Sequence, residues 1–456
     1  MKIIKLMSIA FHKPYDLTLD DNRALERERR IALTSVTAII QKLITTAIPL
    51  ISIKITYDYL GVEVYGLWNA VTTFFALFAF SDLGLGNGLQ TKLSQASGHD
   101  DILLAKELIS STFAILIGMS LLLLALFFIS APFVDWASLM NATNEETVKL
   151  AAPIVFVIVI PRILLIPTSI ISRTQYALQE GYFSNIWEIV SSILTLIFIV
   201  LASALGIGKV ALLLGTALIP FVTSLLNFAI YFEIQRKELR IQLRYANKTT
   251  SFNLLSLGGA FCILSILTTI GLSMDTFIVA KKICLEEAAS YSIIYKLSIV
   301  LSAVLGVFAQ PLWGANGEAI TRGDVEWVIK NTRQMSYIMT ALTVVVSILI
   351  VLSSSFLFKI WLGTDFSFSM SCLIWMCLMQ VVQAFISPYF MILNAQGIVV
   401  KQIILFSVYT PTSFILKYVL SDYYGVVSVP MVGCLLYFFV IVIGTYNFSM
   451  KSLKNN

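Results

Sequence analysis

Residues 60–90, LGVEVYGLWNAVTTFFALFAFSDLGLGNGLQ, hold one complete crossing of a lipid bilayer together with both of its boundaries. Leu60, Gly61, Val62 and Glu63 form a turn short and polar enough to sit at water. Val64 to Phe80 then follows without a charge, long enough with its flanks for one pass through the roughly 30 Å hydrocarbon layer. Tyr65 and Trp68 lie at one end, where amphipathic rings prefer the headgroup level. Asp82 and the glycines Gly84, Gly86 and Gly88 lie at the other. The remaining apolar runs are counted outward from this one.

The composition is that of a polytopic membrane protein. Of 456 residues, 58% are hydrophobic and 12% charged, with a mean hydropathy of +0.87; a soluble domain is about 25% charged. The net charge of +5 does not indicate a nucleic-acid partner, because the basic residues cluster between apolar runs and form no basic face. No cleavable signal peptide is expected, since residues 12–30 carry a dense run of charges, from His12 and Lys13 to Arg29 and Arg30, and no long uncharged apolar region precedes the first span. Cys262, Cys284, Cys372, Cys377 and Cys434 fall mostly in apolar runs with no CxxC, which argues against a disulfide framework or zinc site. His12 and His99, the two histidines, lie outside the spans, so no metal ligand set and no histidine proton relay is expected.

Apolar runs of about 20 residues fall near 31–57, 64–86, 108–133, 150–172, 185–205, 210–232, 253–280, 289–312, 335–358, 368–392, 402–420 and 425–447. The predicted fold class is therefore all-α integral membrane, with about 12 transmembrane helices in two pseudo-symmetric six-helix bundles. The expected organisation is an N-terminal cytoplasmic arm (1–30), a first bundle (31–232), a basic linker (233–250), a second bundle (251–447) and a cytoplasmic tail (448–456). Of the basic residues, only Lys149, Lys209, Lys281, Lys282 and Lys359 fall in loops on one side; the arm, the linker, the tail and the loops alternating with these hold most of the rest. That bias puts both termini in the cytoplasm, as an even number of spans requires.

The two halves share a pattern. Tyr59 to Gly66 follows the first span, and Lys282 to Ala289 follows the seventh, each as a tight acidic turn after a long helix, with Glu63 matching Glu286. Six spans per copy give both copies the same orientation, and transporters with this plan place the substrate path between the halves. Most prolines, including Pro153, Pro161 and Pro167, lie in the spans or at their ends, where neighbouring groups must re-satisfy the carbonyls that proline frees.

Leu60 to Trp68, followed by Ser81-Asp82-Leu83-Gly84-Leu85-Gly86, resembles the start of the polysaccharide-exporting flippases, which include the O-antigen repeat-unit flippases of the multidrug/oligosaccharidyl-lipid/polysaccharide exporter superfamily. Met274 to Val279 and Ala289 to Leu297 are similar to that family's seventh and eighth helices, with a departure at Cys284, where the family often has glycine. The resemblance implies a V-shaped pair of bundles that opens alternately to each side. It also implies a substrate of oligosaccharide joined through pyrophosphate to a polyprenol, moved from the inner to the outer leaflet of the bacterial plasma membrane. No cofactor is implied beyond a proton or sodium gradient. The polymerase and chain-length regulator of the same pathway are the implied protein partners.

Five residues are candidates for the site. Arg162, near the middle of span four, costs about 2.5–3.5 kcal/mol to insert. It either lines a wet cavity and holds pyrophosphate, or snorkels or pairs locally, with Glu188 the available carboxylate. Lys42, beside Gln41, lies about 16 Å into span one and either lines the cavity or pairs locally. Asp275 and Lys296, near the outer ends of spans seven and eight, are a candidate ion-coupling site or a plain ion pair. Asp82, Glu188, Lys54 and Lys417 read as snorkelling side chains. Gly84, Gly86 and Gly88 end a membrane helix rather than follow a strand, so they read as close packing or a hinge, not a phosphate loop. The arm reads as a solvated anchor, with an amphipathic surface segment as the alternative.

Three function classes remain at this level. A lipid-linked oligosaccharide flippase and a cation-coupled drug antiporter share the architecture; the deepest charges, Lys42 and Arg162, favour an anionic substrate. A membrane polysaccharide polymerase is disfavoured, because the longest outer loop, near 134–149, has no paired-carboxylate or nucleophile constellation.

Overall fold

The computed structural model describes residues 12, 13, 15, 20–74, 84–139, 142, 144–283, 285–362 and 368–454. Among them every element is helical. The order is α1 (Asp20–Leu60), α2 (Val62–Phe74), α3 (Leu85–Gly98), α4 (Ile102–Ser130), α5 (Glu145–Thr168), α6 (Ile170–Ala177), α7 (Gly181–Leu205) and α8 (Lys209–Ile230). Then come α9 (Lys248–Ser273), α10 (Asp275–Lys282), α11 (Leu285–Thr321), α12 (Val325–Leu362), α13 (Met370–Gln396), α14 (Val399–Tyr424), α15 (Ser428–Leu436) and α16 (Ile443–Lys454). Among the described residues, nine stretches are long and apolar enough to span a membrane; the last of them, Val399–Lys454, contains the break at Gly425 between α14 and α15. Each of the twelve apolar runs falls on a helix, although residues 75–83 of the second lie outside the described residues.

The chain divides into two compact units, Met1–Gly258 and Gly259–Asn456, with the division inside α9. In the first unit α7 packs along α1 and α8, α5 packs on α8, α4 and α2, and α3 packs on α4 and α6. In the second, α13 packs along α11 and α12, and α14 packs on α15 and α10. Buried Leu, Ile, Val and Ala side chains fill the first core; Phe358, Cys372, Cys377 and Met376 are prominent in the second.

Local chemistry fixes the helix ends. The turn at residues 60–63 forms as its sequence indicates: Gly61, at φ +79°, donates its N–H to the Tyr57 carbonyl at 2.9 Å, and α2 starts at the next residue. Asp101 caps α4 by accepting from Leu104 N at 2.9 Å, and Asn144 caps α5 by accepting from Thr147 N at 2.6 Å. Glu145 and Glu146 in the first turn of α5 suit its positive end. Pro167 cannot donate to the Ile163 carbonyl, and Ser120 on α4 supplies that bond at 3.0 Å. The freed carbonyl is thereby satisfied by a neighbouring helix.

The described end of the arm, from Asp20 onward, differs from its expected solvated state. It is helical from Asp20, and Glu26, Arg27 and Arg29 are buried. Arg29 bonds Glu26 through Nε at 2.7 Å and Nη2 at 2.6 Å, and Arg30 Nε bonds it at 2.9 Å. Local neutralisation lets charged residues pack in the first turns of a membrane helix.

Candidate functional site

The candidate residues fall into two separate settings, one in each unit. In the first, Glu26, Arg30, Thr34, Thr37 and Gln41 recur every three or four residues along α1 and so share a face. α7 meets that face. Asn185 Nδ2 donates to the Thr34 carbonyl at 3.0 Å and to Thr37 Oγ1 at 2.9 Å, and Asn185 Oδ1 accepts from the Tyr176 hydroxyl at 2.9 Å. One turn further along, Gln41 Nε2 donates to Glu188 Oε2 at 2.6 Å. Glu188 is therefore a partner of Gln41, not a snorkelling side chain, and the structure does not join it to Arg162.

At the other end of this seam, Arg30 Nη1 donates to the Leu178 carbonyl at 3.1 Å and lies 3.6 Å from Glu180 Oε1. Glu180 also accepts from the Tyr231 hydroxyl at 2.6 Å and pairs with Arg236, the first basic residue of the linker. Burial works against the Arg236 charge, but the Glu180 carboxylate outweighs it and raises the guanidinium above its ordinary pKa.

Arg162 stands apart from these networks. It sits on α5 directly after Pro161 and is half-buried. Among the described residues its guanidinium makes no hydrogen bond and no ion pair. Lys42 is exposed, next to Gln41 and within electrostatic reach of Glu188. The structure brings Gln41 and Lys42 to the α1–α7 seam and places Arg162 on a different helix of the same unit. A cation lacking a protein partner, in a helix that crosses a membrane, is a place for an anionic oxygen.

In the second unit, Asp275 opens α10. Its Oδ1 accepts from Lys417 Nζ at 2.5 Å, and its Oδ2 accepts from the Tyr291 hydroxyl at 3.0 Å. Lys417 is only 2% exposed. This corrects the reading of Lys417 as snorkelling: it points inward, into a buried pair. The Lys296 side chain, the expected partner of Asp275, lies outside the described residues, as do those of Lys54 and Asp82. A sequence signal for Lys417 existed, since Thr410, Ser413, Lys417 and Ser421 repeat at helical spacing on α14 and all are buried. The pair borders a cavity of about 290 Å³ inside the unit.

The glycines after the second span act by close packing. A Cβ on Gly258 would lie 3.0 Å from Leu85 N and 3.2 Å from the Gly84 carbonyl carbon, while one on Gly88 would lie 3.3 Å from Gly258 N. Backbone meets backbone there, and neither chain can yield cheaply.

Residues 34–313 match a family described as polysaccharide biosynthesis protein. This chain belongs to that family. Within reach of it, the chain is 23% identical over 375 residues to a Yersinia pseudotuberculosis protein provisionally named for O-antigen export, covering 78% of this chain and 81% of the relative. It is 24% identical over 315 residues to a Salmonella typhi protein provisionally named as an O-antigen transporter, covering 66% and 68%. Its fold is similar to that of an outward-facing multidrug resistance MATE family transporter of the MOP superfamily, with a TM-score of 0.78 at 16% identity over 94% of this chain and 96% of the other. The resemblance carried by residues 60–86 and 274–297 is borne out. The relatives are named for export and transport, and this family member is a membrane transport protein rather than an enzyme.

Proposed function

We propose that the protein is a flippase that carries a polyprenyl-pyrophosphate-linked oligosaccharide, the repeat unit of O-antigen or a related surface polysaccharide, from the inner to the outer leaflet of the bacterial plasma membrane by alternating access. The observation that carries this reading is Arg162. Its half-buried guanidinium has no partner among the described residues, and a pyrophosphate offers the paired oxygens that a planar fork binds best. Lys42, exposed on α1, adds a second positive charge in the same unit. A drug antiporter for cations fits poorly with these two charges. The names of the O-antigen relatives support the substrate class.

Energisation by a proton or sodium gradient belongs to the same proposal, with Asp275 as its carboxylate. Lys417 already neutralises that group, so a sodium ion arriving there has to displace an ammonium. The polymerase and chain-length regulator of the pathway are the proposed neighbours in the membrane.

The test is a lipopolysaccharide gel of a strain lacking this protein beside one lacking the polymerase. The polymerase mutant exports single units and gives core plus one repeat. Bare core in the strain lacking this protein, with lipid-linked single units held on the cytoplasmic face, is the expected result. Core plus one repeat there identifies a polymerase, and an unchanged ladder returns the protein to the antiporter branch.

A further inference from the structure

The cavity inside the second unit has unspent hydrogen-bonding capacity of a specific kind. An ionised carboxylate offers about four lone-pair positions and an ammonium three N–H groups. Asp275 receives one bond from Lys417 and one from Tyr291, and Lys417 gives one to Asp275. Two acceptor positions and two donors therefore remain on a buried pair that borders open space. Gln383, on the α13 wall, makes no side-chain hydrogen bond among the described residues. The rings of Tyr295 and Tyr409 contribute apolar faces to the same lining. At about 290 Å³ the space lies near the lower end of ligand pockets, which run from about 300 to 1,000 Å³.

The chemistry of the walls narrows the occupant. An anionic phosphate would meet the Asp275 carboxylate. A lipid tail would leave the charged pair and the Gln383 amide without partners, which is costly in an apolar interior. A coupling cation reaches Asp275 only by displacing Lys417, and it leaves the Gln383 amide N–H groups and the tyrosine side chains of the lining unused. Neighbouring hydroxyl groups satisfy every constraint: each can donate to a carboxylate and accept from an ammonium or an amide N–H, while the C–H face of the ring lies on an aromatic side chain.

We infer that this cavity is a subsite for one neutral sugar ring of the transported headgroup beyond the ring joined to the pyrophosphate, held by Asp275, Lys417 and Gln383. The inference rests on the flippase reading and deepens it. A sugar is assigned to the second unit, so that unit reads the oligosaccharide and not its lipid carrier.

The experiment compares two substrates in polymerase-deficient cells making either the complete lipid-linked repeat unit or, through loss of the second glycosyltransferase, only the lipid-linked first sugar. Export is read as the fraction of sugar-lipid accessible at the outer face of spheroplasts. Gln383→Leu removes the amide and keeps the bulk. At equal membrane levels, it is expected to lower export of the complete unit at least fivefold and leave export of the single-sugar lipid unchanged, while Gln383→Asn restores part of the loss. An equal loss for both substrates, or no loss for either, overturns the subsite. Should Gln383→Leu fall below the parental membrane level, Thr269→Val, which removes one hydroxyl from the same lining, is read for the same selectivity by the same criterion. If wild-type protein exports neither substrate, the flippase reading fails, which is distinguishable from a variant that loses no selectivity.

Discussion

Arg162 and Lys417 are both basic side chains in apolar helices, yet their surroundings give them opposite roles. Arg162 has no protein partner among the described residues, so its removal should cost substrate rather than stability. A hydrogen bond to a charged group is worth about 1.5–3 kcal/mol, which corresponds to roughly 10- to 150-fold in binding. Arg162→Ala is expected to reduce export of lipid-linked units by about tenfold or more at unchanged melting temperature. Arg162→Lys, which keeps the charge and loses the fork, should fall between the two. Full export by Arg162→Ala at normal membrane levels would end the pyrophosphate assignment. Lys417 is buried against Asp275, and breaking a buried pair from one side costs about 3–5 kcal/mol. Lys417→Met should therefore lower the unfolding temperature in detergent more than the double variant Asp275→Asn/Lys417→Met does. Additive losses would show that the two side chains do not depend on each other. Arg162 was legible because a charge inside an apolar run stands out in any sequence. The Lys417 pairing was not, because its partner lies 142 positions away and only the packing of α14 on α10 brings them together.

Whole helices could be read from hydropathy because a bilayer fixes their length, and the runs near 108–133, 185–205 and 368–392 are found where they were expected. What hydropathy does not contain is how one helix approaches another. Gly258 and Gly259 are adjacent and chemically identical, yet a Cβ on Gly258 meets the backbone of Leu85 at 3.0 Å while one on Gly259 meets nothing within 4 Å. Overpacking costs about 1–3 kcal/mol, so Gly258→Val should lower the melting temperature clearly and Gly259→Val should barely move it. Equal effects would mean that helix propensity, not the contact with α3, sets the requirement. The start of α1 was misjudged for a related reason. Glu26 and Arg29 look solvated when counted as charges, but their pairing lets them pack. Glu180 does the same for the linker, engaging Arg30, Tyr231 and Arg236 together. Glu180→Gln removes the charge and is expected to cost about 1–3 kcal/mol, near the lower figure because Arg236 is one-third exposed. Thermal unfolding of the purified variant measures it, and an unchanged transition would show that the linker is held by other contacts.

For the molecule as a whole, direction of transport depends on orientation, and orientation rests on where the basic residues fall. The arm, the linker 233–250 and the tail hold Arg23, Arg236, Lys237, Arg240, Arg244, Lys451 and Lys454, among others, whereas the opposite loops hold only Lys149, Lys209, Lys281, Lys282 and Lys359. Several of these charges are already spent within the protein: Arg236 on Glu180, Arg240 on Glu233, Lys209 on Glu146. Orientation is nevertheless set as the chain inserts, by lysine and arginine near the span ends, before such pairs have formed. Two exposed lysines test the result directly, because they lie on opposite expected faces. Lys149, at the start of α5, has a side chain 71% exposed, and Lys451 is exposed in the last turn of α16. With the native cysteines replaced, Lys149→Cys should react with a membrane-impermeant maleimide in spheroplasts. Lys451→Cys should react only after the membrane is opened. The reverse pattern would put the carboxy terminus outside and turn the helix bundle over. The outward direction proposed for transport would then lose its support. Labelling of both sites in intact spheroplasts would mean that the chain crosses the membrane an even number of times between residues 149 and 451, against the nine runs counted there, which would break the pairing of six spans with six.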